Sequence, residues 1–189
     1  MPGQLDDIAW PLSTQRLTLR RATTDDADAV LSYRRLPPVA EWIGPPPEDF
    51  HTRFAAPERL DVLLVIERAG VVIGDLMVKI EDAWAPATLA EQAQGVQAEL
   101  GWSLRPDETG KGYATEAVEA VLRMCFEELG LRRVVAGCFA ANTASYRLME
   151  RVGMRRETFT LKNALHPSGE WTDSYGYALL AEEWRHRHL

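Results

Sequence analysis

The stretch GWSLRPDETGKGYATEAVEAVL, residues 101–122, runs from an alternating segment through a proline and a cluster of two glycines and a lysine into a periodic one. From Ala98 the alternation puts Ala98, Leu100, Trp102 and Leu104 on one face of a strand and Glu99, Gly101 and Ser103 on the other. Beyond the turn, Ala114, Ala117, Val118, Val121, Leu122, Cys125 and Leu129 recur at helical spacing, and Gly130 stops the helix. A helix that begins near Tyr113 leaves a row of backbone N–H groups without intrahelical partners. Gly110 and Gly112 let the backbone curl and approach a ligand closely, and the helix dipole adds roughly half a positive charge there. A phosphate or pyrophosphate fits such a turn.

Two familiar phosphate loops are disfavoured by the residues themselves. A Walker loop needs Ser or Thr after Gly-Lys, and Gly112 stands there; a Rossmann turn needs a third glycine, and Thr115 takes its place. A tight strand-to-helix turn with no ligand remains the other reading of two glycines.

Outward from this motif, Arg16–Arg21 alternates as a first strand, and Thr24 caps a helix that runs to Pro37 and Pro38. Residues 38–60 are irregular or short-helical. Asp61–Glu67 and Val71–Ile80 form a hairpin about Arg68-Ala69-Gly70, and residues 82–97 form a long connection. After the long helix come a strand over Arg133–Phe139, a short helix over Asn142–Val152 stopped by Gly153, and strands over Met154–Leu161 and Trp171–Leu180. The order β-α-β-β-β-α-β-α-β-β predicts an α/β or α+β sheet with helices on its faces.

The chain has 189 residues, 46% hydrophobic and 26% charged, which suits one packed domain rather than a disordered chain. A net charge of −7 disfavours nucleic acid and anionic membrane, and favours a cationic partner. The start lacks a basic-then-apolar leader and no window is apolar enough for a membrane span, so a cytoplasmic location is expected. Cys125 and Cys138 read as small buried apolar residues rather than a disulfide. No zinc spacing occurs; His186 and His188 near the end read as solvated, and no metal site is expected.

The stretches Glu99–Ala117 and Asn142–Met154, with Arg16–Val30, resemble the GNAT acetyltransferase superfamily, and within it the Rim-type branch that acetylates ribosomal-protein N-termini. The resemblance implies a mixed, mostly antiparallel twisted sheet flanked by helices and splayed between its fourth and fifth strands. It implies one domain over residues 14–181, between a leader at 1–13 and a tail at 182–189. The family's pyrophosphate loop, Q/R-x-x-G-x-G/A, falls on Thr109–Ala114, with Thr109 in place of Gln or Arg. Acetyl-coenzyme A is then the expected co-substrate, its pyrophosphate on Gly110, Lys111, Gly112, Tyr113, Ala114 and Thr115 and its pantetheine arm along Ser103 and Leu104. The expected acceptor is an amine-bearing peptide or small molecule, and the 82–97 connection with Trp84 is a candidate homodimer contact.

The resemblance also assigns chemistry. Glu99, on the small polar strand face, matches the acidic position that takes the amine's proton; a solvated or ion-paired strand glutamate is the alternative. Many members protonate the departing thiolate with a tyrosine, which is Met149 here, and Met149 has no proton to give. The Rim-type serine is kept as Ser145 in Asn142-Thr143-Ala144-Ser145, with Asn142 as a hydrogen-bonding partner of the coenzyme. Asn142 and Ser145 equally suit a helix N-cap and its third residue, and Tyr146 is a second candidate donor.

Overall fold

The computed structural model describes residues 3–187. Its strands are β1 (Leu12–Ser13), β2 (Thr18–Arg21), β3 (Leu63–Arg68), β4 (Val71–Glu81), β5 (Gln97–Leu104), β6 (Arg133–Phe139), β7 (Arg155–Leu165) and β8 (Trp171–Leu180). Its α-helices are α1 (Ala27–Arg34), α2 (Pro37–Ile43), α3 (Phe50–Phe54), α4 (Pro57–Leu60), α5 (Tyr113–Arg123), α6 (Thr143–Arg151) and α7 (Ala181–Arg187). The strands form one sheet in the order β1-β2-β3-β4-β5-β6-β8-β7.

Every pairing is antiparallel except β5 with β6, and that pairing is incomplete. It covers Gln97–Leu100 against Arg133–Ala136. Beyond it β5 continues on β4 alone, from Gly101 opposite Met77 to Leu104 opposite Gly74. Likewise β6 continues on β8 alone, from Gly137 opposite Gly176 to Phe139 opposite Ser174. The two strands part and leave facing edges whose N–H and C=O groups lack a ladder partner. This is the splay expected between the fourth and fifth strands; the short β1 moves the count by one.

The faces of the sheet are covered differently. On one, α5 and α6 bury Ala117, Val118, Val121 and Leu148 against Leu76, Leu100, Val134 and Ala136. Each fully buried aliphatic side chain of this kind is worth about 1.5–3 kcal/mol, so this face holds the main core. On the other, α1, α3 and α4 pack Val30, Tyr33, Phe50, Phe54 and Leu60 on Leu63 and Val65. Pro37 and Pro38 do end α1, and they also open α2, because a first helical turn has no use for the N–H that proline lacks.

Segments expected outside the domain join it. Leu5 and Ile8 of the expected leader are buried, and Leu12–Ser13 adds an edge strand. In the expected tail Trp184 is buried against Phe126 at 5.7 Å between ring centroids, and its indole N–H donates to Glu127 Oε1 at 2.8 Å. Trp10 and Leu12 pack beside Leu5 and Ile8, so apolar side chains recruit each segment. The strand expected over Met154–Leu161 runs on to Leu165, because a bulge between Thr160 and Ala164, with Lys162 at φ 43°, lets pairing resume. The 82–97 connection holds a 3-10 helix over Ala87–Ala93 and leaves Trp84 93% exposed. No helix among the described residues is long and apolar enough to cross a membrane.

Candidate active site

A cleft of about 1730 Å³ occupies the splay and passes through the sheet. Side-chain alternation fixes which residues reach which side. Trp102, Leu104, Cys138 and Tyr175 point to the α5–α6 side, whereas Gly101, Ser103, Gly137, Phe139 and Ser174 lie on the α1–α4 side. The cleft therefore has two mouths.

The first mouth is the glycine turn. Gly110 at φ 74° and Gly112 at φ 83° take the left-handed conformation, and Gly112 is the N-cap of α5. The amides of Tyr113, Ala114 and Thr115 find no acceptor among the described residues, while Glu116 N–H already donates to Gly112 O at 3.1 Å. A Cβ at Gly110 would meet nothing within 4 Å, so the turn is open on its ligand side. Three free amides, two curled residues and a helix dipole make an anion cradle.

Side chains hold the cradle from behind. Arg16 donates from Nη1 to Lys111 O at 3.0 Å and from Nε to Glu116 Oε2 at 2.6 Å, and its guanidinium lies 4.6 Å from the Tyr113 ring centroid. Buried Glu108 accepts from Lys111 Nζ at 3.0 Å and from Arg68 Nη1 at 3.3 Å. Arg68 also donates to the Tyr113 hydroxyl at 2.8 Å. Burial alone would raise the Glu116 carboxyl, but the Thr14 hydroxyl, the Arg16 amide and the Arg16 guanidinium outweigh it and hold the group below the usual range. Arg151 donates to Thr115 Oγ1 at 3.0 Å from α6.

The second mouth is aromatic. Trp42 of α2 lies 6.4 Å from Phe139 at the end of β6, and His166 of the β7–β8 loop turns edge-on to both at 5.7 and 5.0 Å. Beside it, under α1, Asp75 is 2% exposed and accepts the Tyr33 hydroxyl at 2.6 Å and the Arg34 guanidinium. This cluster ties the end of α1, and hence the start of α2, to β4 at the residue paired with Ser103.

The expected site residues divide among these places. Gly110, Gly112, Tyr113, Ala114, Thr115, Ser103, Leu104, Asn142 and Ser145 all line the cleft. Lys111 contributes its backbone to the turn, but its ammonium is turned to Glu108. Asn142 does cap α6, accepting Ser145 N–H at 3.1 Å, and its amide nitrogen has no partner among the described residues. Ser145 stands by Cys138; burial pushes that thiol up, offset only in part by the Ser145 hydroxyl and Arg156. Tyr146 packs edge-on against Tyr175 at 5.7 Å and is not in the cleft wall. Met149 is fully buried.

Glu99 lies outside the cleft wall, in a shallow depression beside it with Arg133, Glu157 and Thr158. Gly137 lines both hollows, so they adjoin. By alternation Glu99 shares the face of Gly101 and the aromatic mouth, about 6.5 Å along the strand from Gly101.

Cys138 was expected to be buried and instead lines the cleft, half-buried; both cysteines are free. Sequence reasoning also passed over Arg16 and Arg68, which come from the β1–β2 turn and the end of β3, remote in the chain, and carry no local signal. No group of three or more His, Cys, Asp or Glu among the described residues is placed to hold a metal ion, and His188 lies outside those residues.

Comparison with known proteins agrees with this geometry. The profile described as an acetyltransferase (GNAT) domain matches residues 16–155. Uncharacterized N-acetyltransferase YnaD of Bacillus subtilis (strain 168) is 46% identical over 86 residues, 46% of this chain and 50% of YnaD. Among solved structures, a GNAT-family acetyltransferase from Bacillus anthracis superposes with a TM-score of 0.77 at 31% identity, over 92% of this chain and all of that one. Mycobacterium smegmatis RimJ in complex with CoA-disulfide superposes with a TM-score of 0.69 at 28% identity, over 88% of this chain and 83% of that one.

Proposed function

The chain belongs to the GNAT acetyltransferase family, and we propose that it transfers an acetyl group from acetyl-coenzyme A directly to a primary amine, in the first place the α-amine of a peptide or protein. The observation that carries this reading is the cleft that crosses the sheet where β5 and β6 part, with free helix-terminal amides at one mouth. The likeness to RimJ solved with a coenzyme A disulfide supports the co-substrate.

Acetyl-coenzyme A supplies the acetyl group as a thioester. The chain's part is to hold, polarise and move protons. The Tyr113–Thr115 amides take the pyrophosphate, and the unladdered edge of β5 at Ser103 and Leu104 takes the amide-containing arm as an added strand would. An N–H of that edge also stabilises charge developing on the thioester carbonyl. Glu99 removes the amine's proton through water, a route that suits its place beside the cleft. Ser145 donates to the departing sulfur, whose ordinary pKa near 8.5 asks for only a weak acid.

A covalent relay through cysteine is disfavoured. Burial pushes the Cys125 thiol up to about 12, and burial also raises that of Cys138, so neither is a ready thiolate. Transfer is direct: a C–N bond forms as the C–S bond breaks.

Calorimetric titration with acetyl-coenzyme A, against dephospho-coenzyme A, ATP and NAD, tests the reading. Low-micromolar binding of the coenzyme with failure of ATP and NAD is expected, followed by thiol release on short peptides. A folded protein that does not bind acetyl-coenzyme A would sink it.

A further inference from the structure

We infer that the acceptor amine is carried on an uncharged apolar group, such as the first residue of a peptide that begins with a large apolar side chain, rather than on a polycation. The inference rests on the acetyl-transfer reading and concerns the aromatic mouth alone.

That mouth is lined by Val39, Trp42, Ile43, Phe139, Ala164 and Ser174. Ile43 is 46% exposed, and Trp42 is half-buried. The polar atoms are few. Ser103 is buried and its hydroxyl has no hydrogen-bond partner among the described residues, and the Ser174 hydroxyl is engaged by Asn163 Oδ1 at 2.8 Å. His166 Nδ1 accepts the Ser168 amide at 3.1 Å. One unsatisfied hydroxyl in an apolar rim suits one small polar group entering with an apolar body behind it.

Among the described residues that line the cleft, none of the carboxylates lies at this rim. The cleft's four acidic residues, Glu108, Glu116, Glu119 and Glu128, belong to the glycine turn or to the helix that follows it. Asp75, which lies beside this mouth, is closed by Tyr33 and Arg34. Asp173 is one residue from Ser174 and so faces the other way, where its Oδ1 accepts the Lys162 amide at 2.9 Å. Glu99 is committed to the reacting amine itself. A second ammonium would lose its hydration without gaining a partner.

Nor do the rings offer an open cage for a cation. Trp42 and Phe139 each meet His166 edge to face, at 79° and 69°. The net charge of −7 would draw a polycation toward the molecule, but steering is not retention. An apolar side chain gains by covering Trp42, Ile43 and Phe139.

The test uses the full chain. Acetyl-coenzyme A binding is measured first, then initial rates with tetrapeptides beginning Phe, Leu, Asp or Lys, and with phenethylamine, spermidine and kanamycin. Phe- and Leu-initiated peptides are expected to exceed spermidine, kanamycin and the charged peptides at least 10-fold in kcat/KM. Trp42→Ala is expected to cut kcat/KM for those peptides at least 10-fold through KM, with acetyl-coenzyme A affinity within twofold; Trp42→Phe should restore most of the loss. Ile43→Ser, a change at a half-exposed position, should cost about threefold. Preference for spermidine, kanamycin or a charged peptide overturns the inference and leaves acetyl transfer standing, as does an unaltered KM in Trp42→Ala. Coenzyme binding without turnover of any apolar amine overturns it too. Absence of coenzyme binding removes the acetyl-transfer reading, and this inference with it.

Discussion

The two mouths of one cleft are built from different materials. The glycine turn is backbone: free amides and two left-handed residues, all within Gly110–Thr115. The aromatic mouth is side chain: Trp42 from α2, Phe139 from the end of β6, Ala164 from β7 and Ser174 from β8. A backbone site has its geometry set locally and depends little on which side chains flank it. A side-chain site exists only once the sheet has brought distant segments together, and it changes character with each residue. The difference teaches where constancy and where specificity reside in this fold.

The largest expected effect breaks the first mouth. Gly112→Val forces a β-branched residue into φ 83° and brings its Cβ to 3.3 Å from Arg16 Nη2. Acetyl-coenzyme A affinity should fall more than 100-fold by calorimetry, with a Tm loss of only a few degrees. If affinity survives in a folded variant, the amide cradle is not what holds the coenzyme, and the two mouths differ less than supposed.

Ser145→Ala acts between the mouths and should come next. The α6 cap uses the Ser145 backbone N–H rather than its hydroxyl, so the helix keeps its cap. Turnover should drop about 30- to 100-fold, toward the lower range for loss of a general acid, with coenzyme affinity within twofold. Unchanged turnover would remove Ser145 from the reaction and leave the cleft without an assigned proton donor, since Tyr146 is held against Tyr175.

What was legible in the sequence follows the same division. The alternation at Ala98–Leu104, the glycines and the apolar period from Ala114 to Leu129 are contiguous signals, and they gave the strand, turn and helix that frame the first mouth. The splay itself is non-local; its place between β5 and β6 came from family resemblance, since no residue in either strand announces where pairing stops. Arg16 and Arg68 were unreadable as supports of the turn because they lie 95 and 45 residues from the partners they meet there, Lys111 and Tyr113. No local signal in the sequence marks Trp42 as a partner of Phe139. Trp42 meets Phe139 from α2, which follows α1 directly, and α1 is tied to the sheet by Tyr33 and Arg34 on Asp75, 42 and 41 residues further along the chain. Net charge pointed toward a cationic acceptor, whereas the local lining points to an apolar one: a whole-molecule sum says nothing about which side chains share a rim.

The smallest expected effect sharpens the comparison, because it reaches the aromatic mouth from a distance. Asp26 opens α1 and is 5% exposed; it accepts from Arg20 at 2.7 and 2.8 Å and from the Thr23 amide at 2.8 Å. Burial alone would raise its carboxyl, but Arg20 and Thr23 outweigh that and hold it below the usual carboxylate range. A depressed folded pKa means that this stabilisation is complete above the unfolded value near 3.9 and is lost as pH falls through the folded value. Asp26→Asn should therefore cost about 2 kcal/mol at pH 7, the scale of a charge-assisted hydrogen bond, and the gap in thermal stability should close as pH drops below about 4. Since α1 leads directly into α2 and Trp42, while the glycine turn is braced by Arg16, Arg68 and Glu108, the same variant should raise acceptor KM about threefold and leave coenzyme affinity unchanged. Equal weakening at both mouths would mean that they are mechanically one unit, and that the difference in material carries no difference in support.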